Sequence, residues 1–165
     1  MTRTTEPPRD VIQPTDDEAR ALARRLIDTA RFAALAVIAD GAPAVSRIAI
    51  GTTAEGLPLT LVSGLAGHTR ALRDDARAAL LVGEPADKGD PLTHPRLSLG
   101  VTARFVDRPS EEHDRLRAHW LAGHPKSTLY VDLPDFRFVV FTPTGASLNG
   151  GFARAFRLTG ADLTP

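Results

Sequence analysis

Residues 56–72 read GLPLTLVSGLAGHTRAL, and the fold turns on how this stretch divides. Leu57 to Val62 alternates and then runs apolar, which predicts a strand entering a core. Thr69 to Asp75 holds neither Gly nor Pro and predicts a helix. The segment between them, Ser63 to His68, is therefore a strand-to-helix junction. Unpaired amides and the positive end of the helix dipole stabilise an anion there. Ser63, His68, Thr69 and Arg70 add two hydroxyls, an imidazole and a guanidinium, so the stretch reads as a phosphate seat.

Working outward, FAALAVIA (32–39), PAVSRIAI (43–50) and RAALLVG (77–83) read as further strands. Asp40-Gly41 and Glu55-Gly56 supply hairpin turns, so neighbouring strands should pair antiparallel. Upstream, Leu22, Ala23, Leu26, Ile27 and Ala30 form one apolar stripe behind a Thr15/Glu18 capping box, predicting a helix over about 16–31. Residues 1–14, with three prolines and scattered charges, are expected to be a flexible lead-in to a single domain spanning 15–165. Downstream, 84–95 reads as a surface loop and LSLGVTARFV (97–106) as a long strand. Ser110 opens a helix whose buried side is Leu116, Trp120 and Leu121. FRFVVFTPTGASLNGG (136–151) predicts a last hairpin turning at TPTG, after which the chain trails toward polarity. The whole predicts an α+β, mainly β domain: a six- to seven-stranded antiparallel split β-barrel with flanking helices.

Composition narrows the function. Among 165 residues, 20 Lys and Arg balance 20 Asp and Glu, leaving no field to gather nucleic acid or an acidic membrane. There is no Cys, which removes disulfides and thiolate chemistry and suits a reducing compartment, so a cytoplasmic location is expected. Neither a signal peptide nor a membrane-length apolar run is visible. His94, His113, His119 and His124 match no common zinc spacing, and no metal site is expected.

The order SR (46–47), LVSGLAGHTRAL, RAALLVG, PRLSLGVTARF, LYVDLPDFRF and NGGFARA is similar to that of the pyridoxamine 5′-phosphate oxidase-like flavoproteins, and most resembles their haem-utilisation branch. The resemblance is collinear over about 30–158. It implies an FMN-binding split barrel that forms a homodimer, with flavin in a cleft between subunits, and an oxidoreductase acting on an unknown small-molecule substrate or electron donor. A non-catalytic flavin- or haem-binding protein is the alternative. The substrate-binding segment of the true oxidases is missing, which points away from vitamin B6 oxidation. With the chain running to Pro165, the added C-terminal segment of the haem-utilisation branch is also missing, which points away from haem breakdown.

By match to the family motif, Arg47 and Ser63 should face the FMN phosphate, with His68 and Thr69 completing the seat and Arg70 beside it. Ser46 and Arg47 point to opposite faces of a strand, and the longer cation is the better phosphate ligand. Ile48 and Ala49 follow as backbone neighbours of the flavin, and Phe152 and Arg154 as contacts within or across the dimer. Each has a plainer reading: Arg47 as a surface charge, Ser63 and Thr69 as helix caps, Arg154 as an exposed cation. Two positions depart from the motif. Ala71 replaces an Asn near the phosphate, and Ala153 replaces a Gly.

Overall fold

The computed structural model describes residues 12–151 and 153–164. Its elements are β1 (Ile12–Gln13), α1 (Asp17–Thr29), β2 (Phe32–Ala39), β3 (Ala42–Ala49), β4 (Gly51–Thr52), β5 (Pro58–Ser63), α2 (Gly67–Asp74), β6 (Arg77–Val82), β7 (Arg96–Phe105), α3 (Glu111–Gly123), β8 (Phe136–Asn149) and β9 (Ala155–Thr159). Nine strands form one sheet in the order β1-β9-β8-β7-β6-β2-β3, with β5 bridging β4 and β8. Only Ile50 separates β3 from β4, so the two act as one interrupted strand. The ladder thus closes through β5 onto β8 as an antiparallel barrel. The α+β split barrel expected from the sequence is the fold found.

The turns follow from backbone chemistry. Asp40 and Gly41 both have positive φ (51° and 77°), the hand that matches strand twist in a two-residue hairpin. The barrel interior is filled by alternate residues of the strands: Leu35 and Val37 from β2, Leu97, Leu99 and Val101 from β7, Val139 and Phe141 from β8. α1 adds Ala19, Ala23 and Ile27, spaced one turn apart. A second cluster lies outside the barrel wall, where Leu116 and Trp120 of α3 cover Leu59, Leu61 and Phe138. Trp120 is the core anchor its stripe suggests, donating Nε1–H to Ser127 Oγ at 3.0 Å with the His124 ring stacked 3.7 Å away.

Four local expectations need correction. The cap of α1 is Asp16, whose carboxylate accepts the Ala19 N–H at 2.8 Å, while Thr15 Oγ1 instead donates to Arg157 O. Ile12 and Gln13 are not lead-in but a short strand parallel to β9; residues 1–11 lie outside the described residues. TPTG is no turn: β8 runs unbroken for 14 residues, with Thr144 as the extra residue of a bulge opposite Gly100/Val101. Pro143 is tolerated because β8 changes partners there. β5 pairing ends at Val140 and β9 pairing begins at Gly145, so no neighbour on that side calls on the missing N–H. Finally, Ala155–Thr159 is a strand, burying Phe156 and Leu158 and exposing Arg157 and Thr159.

Candidate functional site

The β5–α2 junction is stapled shut by its own chain. Ser63 Oγ–H donates to Asp135 Oδ2 at 2.6 Å, and its oxygen accepts the Leu65 N–H at 3.1 Å. The Gly64 N–H donates to Asp135 O at 2.8 Å, and any Cβ on Gly64 would sit 3.1 Å from that same oxygen. Thr69 is buried on α2, and its hydroxyl donates to Ser63 O at 2.6 Å. A hydroxyl has one proton to give, so neither Ser63 nor Thr69 presents a donor to a ligand. α2 has no side-chain cap at Ala66, leaving the amides of Gly67 and His68 at its open start. Burial holds the His68 imidazole below the usual histidine range, which favours its neutral form.

The other sequence-predicted residues divide between two sides of the wall. Ser46, not Arg47, faces α2: it lines a cleft of about 230 Å³ with His68, Arg70, Asp40 and Asp74. Arg47 projects from the opposite face of β3, with its guanidinium 5.4 Å from the centre of the Phe32 ring. Ile48 is buried in the barrel core, and Ala49 O accepts Thr60 Oγ1–H at 2.6 Å. Ala71, the motif's missing Asn, packs into the same core. Arg154 reaches back to Glu18 at 3.3 Å; Phe152 lies outside the described residues. The predicted phosphate seat is therefore not one constellation. Arg47 and the pair His68/Arg70 look in different directions, and the Ser63 hydroxyl is turned to the Asp135 carboxylate. Of the junction's donors the two hydroxyls are engaged within the chain, while the Gly67 and His68 amides stay open.

Sequence reasoning did not single out the outer face of the sheet, where the registers align two rows. The first runs Arg47–Ala34–Leu81–Ser98–Ser147–Arg157 across β3, β2, β6, β7, β8 and β9. The second runs Val45–Ala36–Ala79–Gly100–Gly145–Thr159 across the same strands. Cross-strand partners share a face, and here it points away from the barrel core. Four residues of the second row are Ala or Gly, which makes a flat floor. Val45 (69 % exposed) and Leu81 (46 %) leave apolar surface on it. At the β9 end, Leu81, Arg96, Ser98, Ser147 and Arg157 line a cleft of about 280 Å³. Arg96 Nη1 donates to Leu92 O at 2.9 Å, while the Arg157 guanidinium is unpaired among the described residues. The alternation of Ala155–Thr159 carried the signal for Arg157, masked by its nearness to the polar chain end.

No family model matches the chain. The atypical chloroplastic heme oxygenase HOZ of Arabidopsis thaliana is 32 % identical over 118 residues, 71 % of this chain and 35 % of that protein. The chain thus spans about a third of the curated relative it matches. The solved heme binding protein of Mycobacterium smegmatis is 27 % identical, with TM-score 0.81 over 90 % of this chain and 61 % of that one. A Clostridium acetobutylicum protein of the pyridoxinephosphate oxidase family shares the fold at TM-score 0.67 and 12 % identity, over 90 % of this chain and 99 % of that one. The fold is that of the pyridoxamine 5′-phosphate oxidase-like split barrels, and the sequence is similar to proteins named for heme. Among the described residues no helix is long and apolar enough to cross a membrane, and no three His, Asp or Glu side chains converge as a metal site.

Proposed function

We propose that the chain binds haem on the outer face of its sheet, between two copies of itself. The observation that carries this reading is the cleft in which Leu81, Ser98 and Ser147 meet Arg96 and Arg157. Haem is a plane bearing two carboxylates. The plane calls for a flat floor, and the carboxylates call for guanidinium and hydroxyl donors. The Ala36–Ala79–Gly100–Gly145 row supplies the first and the cleft the second. A plane lying on one sheet leaves its far side in water, and a second copy related by a two-fold axis covers it. The relatives named for haem support the same ligand.

An FMN-dependent oxidoreductase with a small-molecule substrate or electron donor is the second reading. It is favoured by the family and by the open first turn of α2. It stands second because the hydroxyls meant for the phosphate are already engaged. Titration of the purified chain with ferric haem tests the first reading. A saturable Soret band is expected, and a featureless titration contradicts it.

A further inference from the structure

We propose that Asp135 is the chain's own anion at the β5–α2 junction and makes the protein select against phosphorylated ligands there. Three contacts argue for this role. The carboxylate takes the Ser63 hydroxyl proton at 2.6 Å, and the backbone oxygen of the same residue takes the Gly64 N–H at 2.8 Å. The engaged Ser63 then offers its lone pair to Leu65 N–H, so the loop ahead of α2 is satisfied from within.

Satisfaction is only half of the effect. A phosphomonoester carries close to two negative charges at neutral pH, and it would approach a half-buried carboxylate of the same sign. Like charges repel, and the two hydroxyls that could offset this are committed elsewhere, Thr69 to Ser63 O and Ser63 to Asp135, which leaves only the Gly67 and His68 amides and exposed Arg70 to oppose it. His68, held toward its neutral form, supplies no counter-charge. Gly64 fixes the arrangement, since a side chain there would push against Asp135 O. The junction has the outline of a phosphate seat whose Ser63 hydroxyl is held by the residue just ahead of β5's partner strand β8.

This inference stands apart from the haem reading, and its test separates the two. FMN and riboflavin differ in the phosphate alone, so the ratio of their affinities, read by quenching of flavin fluorescence, reports on the junction whatever the outer face binds. Wild-type protein is expected to hold FMN no tighter than riboflavin, and Asp135→Asn is expected to raise that ratio by about tenfold, since it removes the charge and adds an N–H₂ donor. Ser63→Ala, which leaves the carboxylate in place, should not raise it. Two results overturn the proposal: a wild-type protein that holds FMN clearly tighter than riboflavin, or an Asp135→Asn protein, folded by circular dichroism, whose ratio does not move. Haem titration of the same variant tests the haem reading independently, because Asp135 lines no part of the outer cleft.

Discussion

Arg47 and Arg157 stand at opposite ends of one cross-strand row, on the same outer face and five strand spacings apart. At about 4.8 Å per spacing they are separated by roughly 24 Å along the sheet, too far for both to grip the carboxylates of one porphyrin. Arg157 shares its cleft with Arg96 and two serines; Arg47, among the described residues, lies against the Phe32 ring. Arg157→Ala should therefore weaken haem by about tenfold or more, the loss of a charge-assisted contact, and Arg47→Ala by less than about threefold. Equilibrium titrations of the two variants check the order; equal effects would remove the cleft from the account.

The small-residue row makes a second prediction, about assembly. Ala36 lies mid-row between Val45 and Ala79, with its side chain outward. Ala36→Arg puts a long charge on the flat floor without touching the core. Light scattering should find the wild type dimeric and the variant monomeric, with an unchanged circular dichroism spectrum. A variant that remains dimeric would mean that another surface pairs the copies.

Gly83 closes β6 with φ of 99°, and a Cβ there would stand 2.5 Å from Pro95 O and 2.8 Å from Arg96 Cα. Both neighbours are backbone and cannot swing aside. Gly83→Ala should cost at least about 3 kcal/mol, combining a disfavoured backbone conformation with a hard clash, and should disturb the cleft by shifting Arg96. Gly67, with nothing within 4 Å of its built Cβ, is the control: Gly67→Ala should leave the melting temperature nearly unchanged.

The chain end gives a pH dependence. Asp162 accepts from Thr159 N–H, the Thr159 hydroxyl and Arg20 Nε, and together these lower its carboxyl from 3.8 to about 2. The folded form thus binds its proton later than the unfolded chain. Its contribution to stability is whole above pH 4 and is lost as the pH falls from about 4 toward 2. Asp162→Asn should lower the melting temperature by a few degrees at pH 7, and the gap to wild type should shrink below pH 4. Asp75, also held at about 2 by Arg77, titrates in the same window, but it is common to both proteins and cancels in the difference.

How much of this was legible follows from which forces the sequence displays. Alternation placed β2 at its true bounds, and the Asp40-Gly41 pair announced its hairpin, because both are local and steric. The long run of β8 was misread at TPTG because proline and glycine signal a turn wherever they stand. What decides their meaning is the exchange of partner strands at Pro143, a tertiary fact. The junction residues were found as a group but not their orientation. That Ser63 turns to Asp135, 72 residues away, follows from the pairing of Ser63 with Phe136, which composition does not display. The outer cleft was invisible for the same reason. Its residues come from β6, β7, β8 and β9, and only the registers bring them together.

The central claim is a location, and a crystal structure of the haem-loaded protein tests it most directly. The account predicts the porphyrin plane over Leu81, Ser98 and Ser147, with a carboxylate at Arg157 and a second copy of the chain covering the far side. Haem found instead in the cleft between Ser46, His68 and Arg70, with the outer face bare, would contradict it.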